Sequence, residues 1–117
     1  MKKIVITGGN GFIGSNLVNF LIKKRFFVIN IDKNKYSKGS YLLKNIKSKN
    51  YKFYNFDINN KKILKIFTQY QPDAIFNLAA ETHVDRSIDS PKDFIYSNIL
   101  GTFNILEQIR NYKKKNK

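Results

Sequence analysis

The sequence predicts an α/β fold in which a parallel β-sheet carries helices on both faces. Two observations predict this fold class. Short apolar runs alternate with segments of helical periodicity, and a glycine cluster separates the first run from the first helix. The order β-α-β-(α)-β-α-β-α is typical of a parallel sheet. Because crossovers between parallel strands are right-handed, the expected strand order is 3-2-1-4.

Each predicted strand is short and rich in apolar or aromatic residues. Residues 3–7 and 26–31 are nearly continuous apolar runs, as expected for strands buried on both faces. Residues 51–56 alternate aromatic and polar side chains, which is typical of a half-buried strand. A turn at Pro72 leads into the fourth strand, which ends at Leu78.

The predicted helices have apolar residues at three- and four-residue spacing. The first covers about residues 11–24, another covers 60–70, and a short one is expected around 41–47. Ser90 and Pro91 predict the start of the last helix, because serine is a favoured N-cap and proline suits the first helical position. This helix is expected to bury six apolar residues: Phe94, Ile95, Ile99, Phe103, Leu106 and Ile109.

Length and composition exclude several classes of protein. The 117 residues amount to one domain at most, and a hydrophobic fraction of 42% is enough to build a core. The absence of cysteine and the single histidine exclude disulfides, thiolate chemistry and metal sites built from these residues. No apolar run approaches the roughly 20 residues that span a bilayer, and none at the start resembles a signal peptide. We therefore expect a cytoplasmic protein with no membrane partner.

The net charge of +14 comes from 19 lysines and three arginines against eight acidic residues. Nucleic-acid binding would explain the lysines alone. A genome biased towards AT-rich codons also explains the many Asn, Ile, Phe and Tyr residues and the scarcity of alanine. We therefore expect a solvated basic surface and no specific nucleic-acid partner. That surface would still attract an anionic nucleotide.

The glycine cluster has the spacing of a dinucleotide-binding loop of the Rossmann type. Gly8 would permit a tight turn, Gly11 would let a pyrophosphate approach the backbone, and Gly14 would let the helix pack closely on the sheet. The first N–H groups of the helix, together with its dipole, favour phosphate at this point. The spacing therefore predicts a phosphate site directly after the first strand.

Asp32 follows Gly14 by 18 residues and lies at the end of the second predicted strand. A carboxylate in this position can accept hydrogen bonds from both hydroxyls of an adenosine ribose. It would also repel the extra phosphate of NADP, which predicts NAD as the cofactor. Lys33 and Lys35 weaken that preference because they could offset the repulsion.

Polar side chains follow the third and fourth strands as well. Asp57 could either cap the next helix or contact the adenine amine, and the residues alone leave both roles open. Ala79 and Ala80 are small enough to let a cofactor pass close to the backbone. The segment after them is densely polar, and its Thr82, His83, Asp85 and Arg86 would either reach the site or only hold their own loop together.

Together these segments resemble the extended short-chain dehydrogenase/reductase superfamily. Residues 98–102 also resemble this superfamily. The string Ala-Ala-Glu-Thr-His-Val-Asp-Arg-Ser-Ile at residues 79–88 resembles the dTDP-glucose 4,6-dehydratase family in particular, and residues 29–33 and Tyr36 fit the same family. The resemblance implies a lyase of deoxysugar (rhamnose) synthesis that uses NAD and converts dTDP-glucose to its 4-keto-6-deoxy product.

The resemblance also implies a role for each matching residue. It assigns Gly8, Gly11, Phe12, Ile13 and Gly14 to the pyrophosphate, Asp32, Lys33, Asn34 and Lys35 to the adenosine ribose, Asp57 and Ile58 to the adenine, and Leu78, Ala79 and Ala80 to the nicotinamide side. Ser97, where the family often has threonine, would approach the cofactor. Thr82 would contact the substrate sugar, and Asn98 would support the network around it.

The catalytic residues that the resemblance implies do not occur in this sequence. None of the seven tyrosines is followed by lysine at the fourth position, and there is no Thr-Asp-Glu triplet. In this family the tyrosine acts as base with its pKa lowered by the lysine. We therefore expect residues 1–117 to be the truncated NAD-binding part of a larger enzyme, without catalytic region or substrate domain, and inactive by itself.

Two further expectations follow from such a truncation. The fourth strand would be an unpaired edge and some apolar helix faces would lack cover, so we expect marginal stability and a tendency to associate, in a family that is typically homodimeric. Two alternative functions remain open from the sequence. The chain could belong to a related nucleotide-sugar epimerase or dehydratase, or it could be a non-enzymatic basic module that binds nucleotides or nucleic acids.

Overall fold

The sheet has four parallel strands in the order β3-β2-β1-β4, as predicted. The computed structural model describes residues 1–35, 43, 46, 48–80 and 88–115. The strands are β1 (Lys3–Thr7), β2 (Phe27–Asp32), β3 (Tyr51–Asn55) and β4 (Ala74–Asn77). The central pair is in register from Lys3 opposite Phe27 to Thr7 opposite Ile31. All four strands therefore end at the same edge of the sheet.

The helices begin and end close to the predicted positions. They are α1 (Phe12–Lys23), α2 (Lys62–Tyr70), α3 (Pro91–Phe94), a π-helical segment π1 (Ile95–Leu100) and α4 (Gly101–Lys115), the last three forming one continuous run. Ser90 is the N-cap of α3, but its side chain makes no capping hydrogen bond; its carbonyl accepts the Asp93 N–H instead. Most of the short helix expected around residues 41–47 lies outside the described residues.

The core has one apolar cluster on each face of the sheet, because neighbouring residues of a strand point to opposite faces. One cluster joins Val5, Ile29 and Ile31 to α2 and α4, where Phe67 and Ile105 are buried. The other joins Ile4, Ile6 and Val28 to Val18 and Leu21 of α1, with Leu43. The predicted arrangement of helices on both faces is thus confirmed.

The buried face of the last helical run differs from the prediction. Ile95, Ile99, Phe103 and Leu106 are each more than half exposed, whereas Ser97, Gly101 and Ile105 are buried. Phe94 and Ile109 are only partly buried. A Cβ atom on Gly101 would lie 2.4 Å from Ile58 Cδ1, so small residues let this face approach the segment between β3 and α2 closely. The larger apolar stripe therefore faces away, which periodicity alone could not reveal.

The two strands that flank the central one differ in cover. All residues of β2 after Phe27 are buried, whereas β4 alternates exposed and half-buried residues and leaves Phe76 41% exposed. Within the described residues β4 is an edge strand, in agreement with the expected unpaired edge. In the same part of the chain, every helix is too short or too polar to cross a membrane.

Candidate functional site

The turn between β1 and α1 is tight and rests against the end of β4. Gly8 has φ 71°, in the left-handed region that favours glycine, and its N–H donates to the Ile31 carbonyl at 2.9 Å. A Cβ atom at Gly8 would lie 2.7 Å from the Ala79 backbone nitrogen. The glycine loop therefore lies between the ends of β2 and β4, the two strands that flank β1.

The other two glycines of the motif have different surroundings. A Cβ atom on Gly14 would lie 2.2 Å from the Gly8 carbonyl oxygen and 2.7 Å from Gly9 Cα. Gly14 thus permits close packing against the loop after β1, and not against the sheet itself as expected. A Cβ atom on Gly11 would contact only the Gly8 oxygen, at 3.4 Å, and would otherwise point into open space.

The start of α1 is well suited to bind an anion. Its N-cap, Gly11, has no side chain to occupy the first N–H groups, and the first turn contains no acidic residue. The first N–H groups of a helix have no partner inside the helix. Phe12 and Ile13 are 77% and 71% exposed, so this end of α1 is open to a ligand. A phosphate group could bind here without displacing a side chain of the protein.

The Asp32 carboxylate lies directly beside this loop. Its Oδ2 accepts the Asn10 N–H and its Oδ1 accepts the Asn34 N–H, each at 2.9 Å, and the residue is only 8% exposed. Burial raises the pKa of Asp32 above 3.8, although the two backbone hydrogen bonds and the nearby Lys33 oppose this change. Each carboxylate oxygen keeps acceptor capacity for a further hydrogen bond.

Sequence reasoning missed a buried amide pair beneath the loop. Asn30, fully buried in β2, donates from Nδ2 to Asn10 Oδ1 at 2.9 Å and to the Tyr51 hydroxyl at 3.0 Å. A Cβ atom on Gly9 would lie 2.1 Å from Asn30 Oδ1, which explains the fourth glycine of the cluster. The available signal was the asparagine within the apolar run 26–31, because a buried amide N–H requires an acceptor.

Asp57 and Ile58 follow β3, and the structure gives them structural contacts. Asp57 Oδ1 accepts the Asn59 N–H at 2.9 Å, whereas the N–H of Lys62 in α2 is bound by Asn60 Oδ1. Asp57 thus holds the turn before the helix and does not cap the helix directly. The Ile58 side chain is buried in the core. Only the backbone of Ile58 could therefore face an adenine.

The end of β4 is fastened to β1 by side-chain hydrogen bonds. The Thr7 hydroxyl donates to Asn77 Oδ1 at 2.5 Å and accepts the Ala79 N–H at 3.2 Å. Leu78 and Ala80 are exposed. Ala79 consequently lies beside the glycine loop, and Thr7 holds it there through a hydrogen bond that sequence reasoning missed.

The remaining predicted residues lie on π1 or outside the described part of the chain. Ser97 is 8% exposed in π1. The carbonyl of Asn98 accepts the Thr102 hydroxyl at 2.9 Å, and Asn59 Nδ2 donates to the Tyr96 carbonyl at 3.1 Å, which ties π1 to the loop after β3. Thr82, the predicted sugar contact, lies outside the described residues, as do His83, Asp85 and Arg86.

The described groups fit a dinucleotide better than a metal ion. They combine an open helix N-terminus, Gly11, whose missing Cβ atom would meet only the Gly8 oxygen, and the Asp32 carboxylate, which can accept further hydrogen bonds. Among the described residues, no three His, Asp or Glu side chains gather closely enough to hold a metal. The Asp32 carboxylate can accept hydrogen bonds from the hydroxyls of a ribose, and the first N–H groups of α1 can donate hydrogen bonds to a diphosphate.

Comparison with known proteins finds sequence relatives that are described as 4,6-dehydratases. A family model described as GDP-mannose 4,6 dehydratase matches residues 5–117. The dTDP-glucose 4,6-dehydratase of Salmonella typhimurium is 50% identical over 113 residues, covering 94% of this chain and 31% of the relative. That of Haemophilus influenzae is 45% identical over 115 residues, covering 96% and 34%. The chain spans about a third of the length of these curated relatives.

Solved structures match the fold over nearly the whole chain. The dTDP-glucose 4,6-dehydratase of Streptomyces venezuelae, solved with NAD and TYD bound, has a TM-score of 0.85 at 29% identity, covering 95% of this chain and 36% of that one. The UDP-glucose 4-epimerase of Thermus thermophilus, in complex with NAD, has a TM-score of 0.79 at 27% identity, covering 95% and 34%. With the family model matching residues 5–117, these findings establish that the chain belongs to the GDP-mannose 4,6-dehydratase family.

Proposed function

We propose that this chain binds NAD, with the diphosphate at the start of α1 and the adenosine ribose on Asp32. The observation that carries the proposal is the contact of 2.9 Å between Asp32 Oδ2 and the Asn10 N–H. This contact holds a carboxylate against the glycine loop, so one ligand can reach both groups. A dinucleotide carries a ribose next to a diphosphate, so it could bind the Asp32 carboxylate and the N–H groups at the start of α1 at the same time.

The nature of the relatives supports NAD as the dinucleotide. Two solved structures of similar fold, a dehydratase and an epimerase, contain NAD. An ionised Asp32 would repel the 2′-phosphate of NADP, which favours the cofactor without it. When bound, NAD would accept and return a hydride. The described residues would orient its adenosine and diphosphate.

We further propose that the chain contributes the NAD-binding part of a dTDP-glucose 4,6-dehydratase, a lyase of deoxysugar synthesis in the cytoplasm. Identities of 45–50% to the dTDP-glucose 4,6-dehydratases of Haemophilus influenzae and Salmonella typhimurium support this substrate class. The sequence contains no Tyr-x-x-x-Lys. The base that accompanies hydride transfer would therefore have to come from groups beyond these 117 residues, and we expect no dehydratase activity from them alone.

Calorimetric titration of NAD into the 117-residue chain tests the proposal. Asp32→Ala should weaken NAD binding at least about tenfold, because hydrogen bonds to charged groups contribute about 1.5–3 kcal/mol. Asp73→Ala is the matched control. It removes the same charge just before β4, at the amino ends of the strands and away from the glycine loop, and should leave NAD affinity unchanged.

Two results would overturn the proposal. One is a folded chain that gives no heat with NAD, and the other is an equal loss of affinity in both variants. Absence of NAD binding combined with tight, strongly salt-dependent binding of DNA would favour the basic nucleic-acid module.

A further inference from the structure

Two asparagines hold the backbone directly after Asp32 from opposite sides. Asn55, at the end of β3, donates from Nδ2 to the Asp32 carbonyl at 2.9 Å and to the Lys33 carbonyl at 3.0 Å. Asn10, in the glycine loop, donates from Nδ2 to the Asn34 carbonyl at 2.8 Å. Three successive carbonyls are therefore bound by side-chain amides. We call Asn10 and Asn55 the amide clamp.

The clamp fixes the orientation of the Asp32 side chain as well as the backbone. The same short segment supplies the Asn34 N–H that binds Asp32 Oδ1, and the Asn10 N–H binds Oδ2. Asn10 is itself held from below, because Asn30 donates to its Oδ1. The carboxylate thus cannot turn away unless several hydrogen bonds break together.

This rigidity matters because the segment also carries cations. Lys33 and Lys35 are both exposed and flank Asn34. A nucleotide with a 2′-phosphate would be repelled by a fixed Asp32 carboxylate. If the segment could move, the carboxylate could swing aside and a lysine could approach the phosphate. The sequence therefore contains cations that could bind the 2′-phosphate of NADP, and the amide clamp keeps them from approaching it.

We propose that Asn10 and Asn55 are positioning residues that set the preference for NAD over NADP by holding Asp32 and residues 33–35 in place. This inference rests on the proposed NAD site. It concerns the ratio of two affinities, whereas the proposed function concerns binding itself, so the two can fail separately.

The test uses Asn55, because it is exposed and its replacement should leave the fold intact. Asn55→Leu keeps the shape of the side chain and removes both donors. The dissociation constants of NAD and NADP are measured on the 117-residue chain by calorimetry. We expect the ratio of the NADP to the NAD constant to fall about tenfold, as the loss of two hydrogen bonds of about 0.5–1.5 kcal/mol each implies. Asn55→Gln, which retains the amide, should restore most of the ratio.

The control is Asn111→Leu, which makes the same chemical change in α4, ten residues beyond Gly101, and should leave the ratio unchanged. Thermal unfolding of each variant reports whether it is folded. The inference is overturned if Asn55→Leu keeps the ratio, including the case where both affinities fall by one factor. It is also overturned if the parent chain shows no preference for NAD. In both cases a loss of NAD binding in Asp32→Ala would leave the proposed function standing.

Discussion

The two ends of the candidate site differ in how completely the described residues enclose them. At the adenosine end, Asp32 lies between strand β3 and the glycine loop, and both side-chain and backbone hydrogen bonds hold it. At the end where the family resemblance would place the nicotinamide, Leu78 and Ala80 are exposed and strand β4 is an edge within the described residues.

This difference shows how a dinucleotide site can be divided. The groups that would recognise the diphosphate and the ribose come from the glycine loop and the end of β2, and a hydrogen bond from the Asn10 N–H to Asp32 Oδ2 joins them. The groups that the family resemblance places near the nicotinamide follow the exposed edge strand β4. The adenosine end should therefore be the more rigid end and the main source of affinity for NAD.

The largest expected effect compares a buried phenylalanine in α2 with a partly exposed one in the edge strand β4. Phe67 is fully buried under the sheet, and Phe67→Ala should lower the free energy of unfolding by about 3–5 kcal/mol. Phe76 on β4 is 41% exposed, so Phe76→Ala should cost well under half as much. Chemical denaturation of both variants measures the difference. Equal losses would mean that β4 is as well covered as the centre of the sheet.

The glycine loop allows binding and folding to be separated. Gly14→Ala forces a Cβ atom against the backbone of the loop and should lower the free energy of unfolding by about 1–3 kcal/mol. Gly11→Ala meets only one atom, at 3.4 Å, and should leave stability nearly unchanged while it weakens NAD binding by obstructing the diphosphate. Thermal unfolding and calorimetry check both changes. If Gly11→Ala bound NAD as tightly as the parent, the diphosphate would lie elsewhere.

The pH dependence of binding should report Asp32. Burial raises its pKa in the free protein, and ribose hydroxyls would donate to the ionised form, so NAD binding should lower that pKa again. Affinity should therefore fall as the pH drops through the raised pKa, by up to about tenfold per pH unit. Asp32→Asn should remove this dependence. A parent chain with the same pH profile as Asp32→Asn would contradict the assignment.

The same carboxyl should affect the stability of the free chain in the opposite direction. Because its folded pKa is raised, its favourable contribution is complete below the unfolded value near 3.8 and is lost as the pH rises through the folded pKa. Denaturation of the parent and of Asp32→Asn at several pH values isolates this contribution. Below the unfolded pKa the two chains should therefore differ least.

The smallest expected effect lies at the end of α2. Gln71 caps this helix with φ 50°, a conformation that suits glycine better than other residues. Gln71→Gly should raise the free energy of unfolding by about 0.5–1 kcal/mol. It should leave NAD affinity unchanged, because Gln71 lies at the amino ends of the strands, whereas the candidate site lies at their carboxyl ends. A change in NAD affinity would mean that the two edges of the sheet are coupled.

Much of the fold followed from local patterns. The four strands and their order could be predicted because each strand is an apolar run and crossovers have a fixed hand. The buried face of the last helical run could not be predicted, because the sequence offers two stripes. The stripe of small residues containing Ser97 and Gly101 packs inwards, and its close approach to Ile58 is visible only in three dimensions.

The candidate site divides in the same way. The positions of Gly8 and Gly11 in the loop after β1 and of Asp32 at the end of β2 follow from spacing, whereas the packing of Gly14 against that loop did not. The supporting amides of Asn10, Asn30 and Asn55 could not be identified, because each binds a residue 20 or more positions away. Spacing indicates candidate ligand-binding residues, whereas the residues that support them depend on contacts that only the three-dimensional structure shows.

The most direct test of the central claim is an NMR titration of the ¹⁵N-labelled 117-residue chain with NAD. The account predicts that the largest changes in amide chemical shift occur at Asn10, at the first residues of α1 and at Asn34, with smaller changes beside Leu78 and Ala79. Saturable shifts centred on the lysines of α4, with the amides of the glycine loop unmoved, would contradict it.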